Sequence, residues 1–125
     1  GRKITIYGDG KQVRDVLEVG DLVRLYQLCL EKIDKVSGQV INAGGGPDRA
    51  ISIGESLDVL EEVLEVKIQR DYDDWRPGDQ PIFVSCNDRA KELTGWEPRV
   101  SVREGIGRLG LWIKPNLEMI RTMVG

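Results

Sequence analysis

The chain has 125 residues, 40% of them hydrophobic and 31% charged, which suits one globular domain and leaves too little for two. Eighteen basic against 21 acidic residues give a net charge of −3, which argues against a nucleic-acid or membrane-surface protein. With no histidine and only Cys29 and Cys86, the chain has no material for a histidine triad, a four-thiolate zinc site or a dense disulfide scaffold.

In chain order, Ile4 and Ile6 alternate with polar neighbours and predict a strand over Lys3 to Tyr7, followed by a turn at Gly8-Asp9-Gly10. A second extended run is predicted from Gln12 to Val19. From Asp21 the pattern becomes helical, with Leu22, Leu25, Tyr26, Cys29, Ile33 and Val36 on one face, Asp21 as N-cap and Gly38 as stop. Gln39 to Ala43 predicts a short strand leading into Gly44-Gly45-Gly46-Pro47. Ser52-Ile53-Gly54-Glu55 is a capping box, and Ile53, Leu57, Leu60 and Leu64 continue its apolar stripe.

Val66 to Tyr72 predicts a strand, Asp73 to Gln80 a charged loop, and Ile82 to Ser85 another strand. A short helix over Asp88 to Thr94 should end at Gly95. A second capping box, Ser101-Val102-Arg103-Glu104, opens a helix with Val102, Ile106, Leu109 and Ile113 on one face. Pro115 should stop it and leave a helical tail over 115–125. Short strands alternating irregularly with about four helices give an α+β class, or the smaller lobe of an α/β enzyme.

Three loops carry residues suited to a phosphorylated ligand. In Gly8 to Asp15, Arg14 offers a planar fork of donors that matches phosphate oxygens, while Asp15 points to the opposite face of the strand. The ordinary alternative is a surface Arg–Asp pair on a hairpin. Asn42 to Pro47 could bring glycine backbone close to a phosphate, yet it fails the GxGxxG spacing and lacks the Lys-Ser/Thr of a P-loop, so it fails as a dinucleotide fingerprint and a tight strand-to-loop turn is the favoured reading. In Asp74 to Gln80, Arg76 is a phosphate candidate and Asp79 an acceptor for ribose hydroxyls, with Pro77-Gly78 as the turn between them; a solvated charged loop is the alternative.

Other motifs are set aside. Tyr7 and Lys11 have Tyr-x-x-x-Lys spacing, but the glycines between them make a turn rather than a helix. Asp71, Asp73 and Asp74 lack calcium-loop spacing. Cys29 falls on the buried stripe, and Cys86 has no partner base.

The run Ile4 to Val16 with Val19-x-Asp21-Leu22, followed by Asn42-Ala43-Gly44-Gly45, Arg76-Pro77-Gly78-Asp79-Gln80, Ala90-Lys91, Gly95-Trp96-Glu97-Pro98 and Glu104-Gly105-Ile106, resembles the C-terminal half of extended short-chain dehydrogenase/reductases. These are the NAD-dependent nucleotide-sugar epimerases and dehydratases. The resemblance covers roughly residues 2–114, and Asp-Trp-Arg-Pro-Gly-Asp-Gln looks most like the CDP-paratose/tyvelose 2-epimerases.

The resemblance implies a substrate-binding lobe in which Thr5 and Tyr7 contact the base, Arg14 and Arg76 hold the pyrophosphate, and Asp79 lies near the ribose. Asn42 matches a structural asparagine. The ligand would be a CDP-, UDP- or dTDP-linked sugar, and NAD would be implied only for a full-length parent. The family's Gly-x-x-Gly-x-x-Gly loop, its Tyr-x-x-x-Lys helix and its catalytic Ser/Thr are missing, so no residue here is expected to be catalytic and none to bind a cofactor or metal. Cys86-Asn87 stands where the family usually has an aspartate, leaving Asn87 or Asp88 to cap the next helix. The expectation is one domain over 1–125, a fragment inactive alone, cytoplasmic, independent of nucleic acid and membrane, and a homo-oligomer. A stand-alone nucleotide-binding module and a ligand-free, self-associating folding unit are the alternatives.

Overall fold

The computed structural model describes residues 3–124. Within them the elements are β1 (Ile4–Tyr7), β2 (Val13–Asp15), α1 (Val19–Glu31), α2 (Ile33–Val36), β3 (Ala50–Ser52), α3 (Ile53–Leu64), β4 (Arg70–Asp73), β5 (Ile82–Phe83), α4 (Asp88–Thr94) and α5 (Val102–Val124), with a 3-10 turn at Pro47–Arg49. The class is α+β, with five α-helices and short strands among the described residues. β1 pairs with β4 in parallel, Ile6 opposite Tyr72. β2 lies between β3, antiparallel, and β5, parallel.

The core sits where α1 meets α4 and the segment after it. Leu25, Ala90 and Trp96 are buried together, with Leu17, Leu22, Leu28, Cys29, Ile41 and Ala43 packed around them. Trp96 is fully enclosed because its one polar atom is satisfied: Nε1 donates to the Asp21 carbonyl at 2.8 Å. Gly95 ends α4 with φ +77°, a left-handed conformation that turns the chain inward and delivers Trp96 to this core.

Helix α1 differs from expectation at both ends. It begins at Val19, capped by the Glu18 carboxylate, which accepts from the Gly20 and Asp21 amides. Asp21 is therefore inside the helix and free to bind elsewhere. At Lys32 the helix breaks, and α2 resumes at Ile33. The expected apolar face is also divided. Leu25 and Val36 are buried, whereas Tyr26 and Ile33 are exposed and join Val19, Val23 and Leu30 in an outward stripe at helical spacing.

Three predicted strands shorten. Only Val13 to Asp15 of the second run is paired, only the end of the Val66 to Tyr72 run enters β4, and β5 has two residues. Gln39 to Ala43 pairs with no strand among the described residues, and Val40 is 85% exposed. Its alternating apolar pattern satisfies the local preference for extended chain but finds no ladder partner here.

Both capping-box assignments locate a helix start. At Ser52 the box is complete: Glu55 N donates to Ser52 Oγ and Ser52 N donates to the Glu55 carboxylate. At Ser101 only the forward bond forms, because Glu104 instead accepts from Arg108. Pro115 does not stop α5, which continues through it to Val124. The proline removes one N–H from the ladder, and Asn116 Nδ2 donates to the Trp112 carbonyl alongside. Helix α5 packs on α3, where a Cβ at Gly110 would overlap Leu64. No helix among the described residues is long and apolar enough to cross a membrane.

Candidate functional site

The site is built at the ends of β1 and β2, where the 74–80 loop folds over both. Gly8 and Gly10 have φ of +92° and +77°, so the chain reverses sharply after Tyr7. The Gln12 side chain bridges that reversal, its Nε2 donating to the Tyr7 carbonyl at 2.7 Å. Lys11 Nζ lies 4.0 Å from Asp9 on the exposed turn.

Arg14 is held by several bonds. Its Nη1 donates to the Val13 and Gln80 carbonyls at 2.8 Å each, and its Nη2 donates to Asp79 Oδ1 at 2.8 Å. Both side chains of the Arg14–Asp79 pair are partly exposed. Arg76 lies on the other side of the Pro77-Gly78 turn, which Asp79 N closes by donating to the Arg76 carbonyl at 3.1 Å. Its guanidinium carbon stacks 3.8 Å from the centre of the Tyr7 ring. The structure thus brings together Tyr7 with Arg76, and Arg14 with Asp79. Thr5 shares the strand face of Tyr7 and is exposed, but it enters neither pair.

Asp15 projects away from Arg14, as alternation along a strand requires, and ties the back of the site together. Its Oδ2 accepts from Gly46 N and Ser85 N, each at 3.0 Å. Burial pushes its carboxyl pKa up, but hydrogen bonds from Gly46 and Ser85 outweigh this and hold it below the ordinary value.

The glycine loop is packed closely against its neighbours. Gly44, Gly45 and Gly46 are buried. A Cβ at Gly44 would overlap Ser85 and Asp15, and one at Gly45 would overlap the Val16 carbonyl. These glycines let two segments of backbone touch, so the structural alternative holds for this loop. Asn42 is exposed. Asn87 does the locking instead: its Oδ1 accepts from Gly44 N at 3.1 Å and its Nδ2 donates to the Gly44 carbonyl at 3.0 Å. It occupies the N-cap position of α4 but makes no side-chain cap bond, a correction to its expected role.

Sequence reasoning missed Gln12, Trp75 and Asn87 as organisers of this region. Gln12 carried a readable signal, a long amide just past a glycine turn. The acidic loop residues act locally: Asp71 pairs with Lys3 at 3.1 Å, and Asp73 Oδ1 accepts from Asp74 N. No group of three acidic or thiol side chains among the described residues is arranged to hold a metal.

The described residues form a short α+β unit in which an arginine-bearing loop folds over the ends of β1 and β2. Residues 1–109 match the family model for GDP-mannose 4,6 dehydratase, and the chain belongs to this family of NAD-dependent nucleotide-sugar epimerases and dehydratases. Among curated relatives, the UDP-glucuronate 4-epimerase of Thermodesulfobacterium geofontis is 32% identical over 98% of this chain and 36% of its own length. The CDP-paratose 2-epimerase of Salmonella typhi is 32% identical over 89% of this chain and 33% of its own. An epimerase structure from Methanothermobacter thermautotrophicus superposes with a TM-score of 0.87 at 30% identity, covering 97% of this chain and 35% of that one. UDP-glucuronic acid 4-epimerase from Bacillus cereus, in complex with UDP-glucuronic acid and NAD, gives 0.80 at 28% identity over 91% and 36%. The chain spans about a third of the length of the relatives it matches.

Proposed function

We propose that this chain is the substrate-binding portion of an NAD-dependent nucleotide-sugar epimerase or dehydratase and holds the nucleoside diphosphate of a CDP-, UDP- or dTDP-linked sugar. One observation carries the reading: two guanidinium groups are presented by one loop-and-strand unit, Arg76 on the Tyr7 ring and Arg14 steadied by Asp79. Arginine forks suit a diphosphate, which offers several oxygens in two adjacent groups. Arg14 and Arg76 bind those oxygens, Tyr7 and Thr5 lie toward the base, and Asp79 accepts from the ribose hydroxyls.

Bound NAD supplies hydride exchange at the sugar in such enzymes. The sequence carries neither the Gly-x-x-Gly-x-x-Gly loop nor the Tyr-x-x-x-Lys helix of such enzymes, and Tyr7 and Lys11 lie across a turn, so the cofactor is assigned to the rest of a full-length parent. No chemical step is assigned to any residue here, and the chain alone with NAD and nucleotide-sugars is expected to give no turnover. Chemical-shift mapping with CDP and UDP tests the binding site. Shifts should gather on Thr5 to Arg14 and Trp75 to Gln80, and shifts scattered over α3 and α5 would refute the assignment.

A second observation favours self-association. The outward stripe Val19, Val23, Tyr26, Leu30 and Ile33 continues at Val19 into an apolar groove of about 570 Å³ lined by Val16, Ile106, Leu109 and Trp112. Monomeric soluble proteins seldom leave so continuous an apolar surface uncovered. β1 and β5 each have one paired side, leaving an edge without a strand partner among the described residues. We assign this face to a homo-oligomer contact when the chain is on its own.

A further inference from the structure

We propose that Trp75 is the positioning residue of the arginine loop: its indole, seated on the bare backbone of Gly8, fixes residues 74–80 so that Arg76 reaches Tyr7 and Asp79 reaches Arg14. The consequence for ligand affinity rests on the nucleoside diphosphate reading above.

The indole lies where a side chain on Gly8 would be. A Cβ built on Gly8 would lie 2.6 Å from Trp75 Cε2, 2.7 Å from Cδ2 and 2.9 Å from Cζ2, so the ring occupies the space a side chain would need. Gly8 also has φ +92°, a conformation that glycine adopts without strain. Gly8 N donates to the Asp73 carbonyl at 2.9 Å, extending the β1–β4 ladder by one bond. Trp75 follows two residues later and folds back on Gly8, and Arg76 folds back on Tyr7. Consecutive loop residues therefore cover consecutive strand residues. The Arg76–Asp79 turn, with Pro77 second and Gly78 third at φ +81°, then carries the chain to Arg14.

The other restraints on this half of the loop are weak. Arg76 has no carboxylate partner among the described residues, so its guanidinium is held by the Tyr7 ring. A cation–π contact at an exposed site contributes no more than the ordering of one backbone residue costs. It cannot hold four or five loop residues in place, whereas a large aromatic surface packed on backbone can. Trp75 remains 44% exposed and lies outside the buried cluster around Trp96, so it is poorly placed to serve the core.

The test follows the Arg76 δ-methylene protons by NMR in the 125-residue chain, where the Tyr7 ring current shifts them upfield, together with CDP titration. Trp75→Ala should abolish the upfield shift and weaken CDP binding about tenfold, with the urea midpoint unchanged. Trp75→Phe should restore affinity to within about twofold, because a smaller ring can still lie on Gly8. Gly8→Ala, whose Cβ would displace the indole, should act like Trp75→Ala on the upfield shift and on CDP affinity and add little to either in the double variant, while its φ of +92° separately lowers the urea midpoint; it carries the test should Trp75→Ala fail to fold. Retention of the upfield shift in both Trp75→Ala and Gly8→Ala, or wild-type CDP affinity in both, overturns the inference. A wild-type chain that binds no CDP, yet loses the shift in Trp75→Ala, upholds the anchor and refutes the nucleotide reading.

Discussion

Replacing Asp21 with alanine should remove the connection that holds α1 to the segment after α4. The carboxylate is 3% exposed; Oδ2 accepts from Arg99 N at 2.8 Å and Val100 N at 2.9 Å, and Oδ1 accepts from Arg24 Nη2 at 2.7 Å. Each bond to a charged acceptor contributes about 1.5–3 kcal/mol, and a buried amide left unpaired costs about 1–3 kcal/mol. The Arg24 contribution is smaller, because that side chain is 24% exposed and also donates to the Glu97 carbonyl. The two backbone amides therefore dominate, and Asp21→Ala should cost about 3–4 kcal/mol. Asparagine keeps one acceptor and should cost about 1.5–2 kcal/mol. Either is a large fraction of the roughly 5–15 kcal/mol by which domains are stable.

Urea unfolding followed by far-UV circular dichroism reads this directly. Burial raises the Asp21 pKa, but hydrogen bonds from Val100, Arg24 and Arg99 and the Arg24 charge outweigh it, so the folded value is depressed. A depressed carboxylate contributes stability that is present above its unfolded pKa and lost as pH falls through the folded one. The gap between wild type and Asp21→Asn should be full near neutrality and shrink as pH drops below about 4. An equal gap at neutral pH and near pH 2, or a cost under about 0.5 kcal/mol, would refute the reasoning.

Other substitutions probe the remaining joints. Gly44→Ala should destabilise by about 1–3 kcal/mol, because its Cβ overlaps Ser85 and Asp15, which calorimetry would record as a lower Tm. Asn87→Ala should cost about 2 kcal/mol by releasing both polar groups of Gly44, seen as a lower urea midpoint. Pro115→Ala restores an N–H inside α5 and should raise helicity by circular dichroism and stability by up to about 3 kcal/mol. Leu30→Glu places a charge in the outward stripe and should lower the sedimentation mass and remove the dependence of Tm on protein concentration while leaving the far-UV circular dichroism unchanged.

Local signals were legible where the partner is near in sequence. The Ser52 box, the Gly8–Gly10 turn and the Gly95 stop each depend on atoms a few residues away, and each is where the pattern placed it. Asp21 reads as a cap because an aspartate stands before an apolar run, while its real partners lie 78 and 79 residues on. Gln39 to Ala43 has strand character, yet pairing is a property of two segments and no second one meets it among the described residues. The usual effect of proline is to end a helix, which the exposed second half of α5 does not follow at Pro115. At the site, residue types suggested Arg14, Arg76 and Asp79 as ligand groups. That Arg14 would pair with Asp79, and Arg76 with Tyr7, was not legible, since those contacts depend on a loop seated by Trp75 on Gly8.

Equilibrium titration of CDP at two ionic strengths, against the chain and its Arg14→Ala/Arg76→Ala and Lys114→Ala variants, tests the central claim most directly. A dissociation constant in the millimolar range, about 4 kcal/mol, is expected, weakening with salt as exposed charges are screened. Binding should be lost in the double arginine variant and unchanged in Lys114→Ala. Equal affinity in the two variants, or binding indifferent to salt, would contradict a diphosphate site built on these arginines.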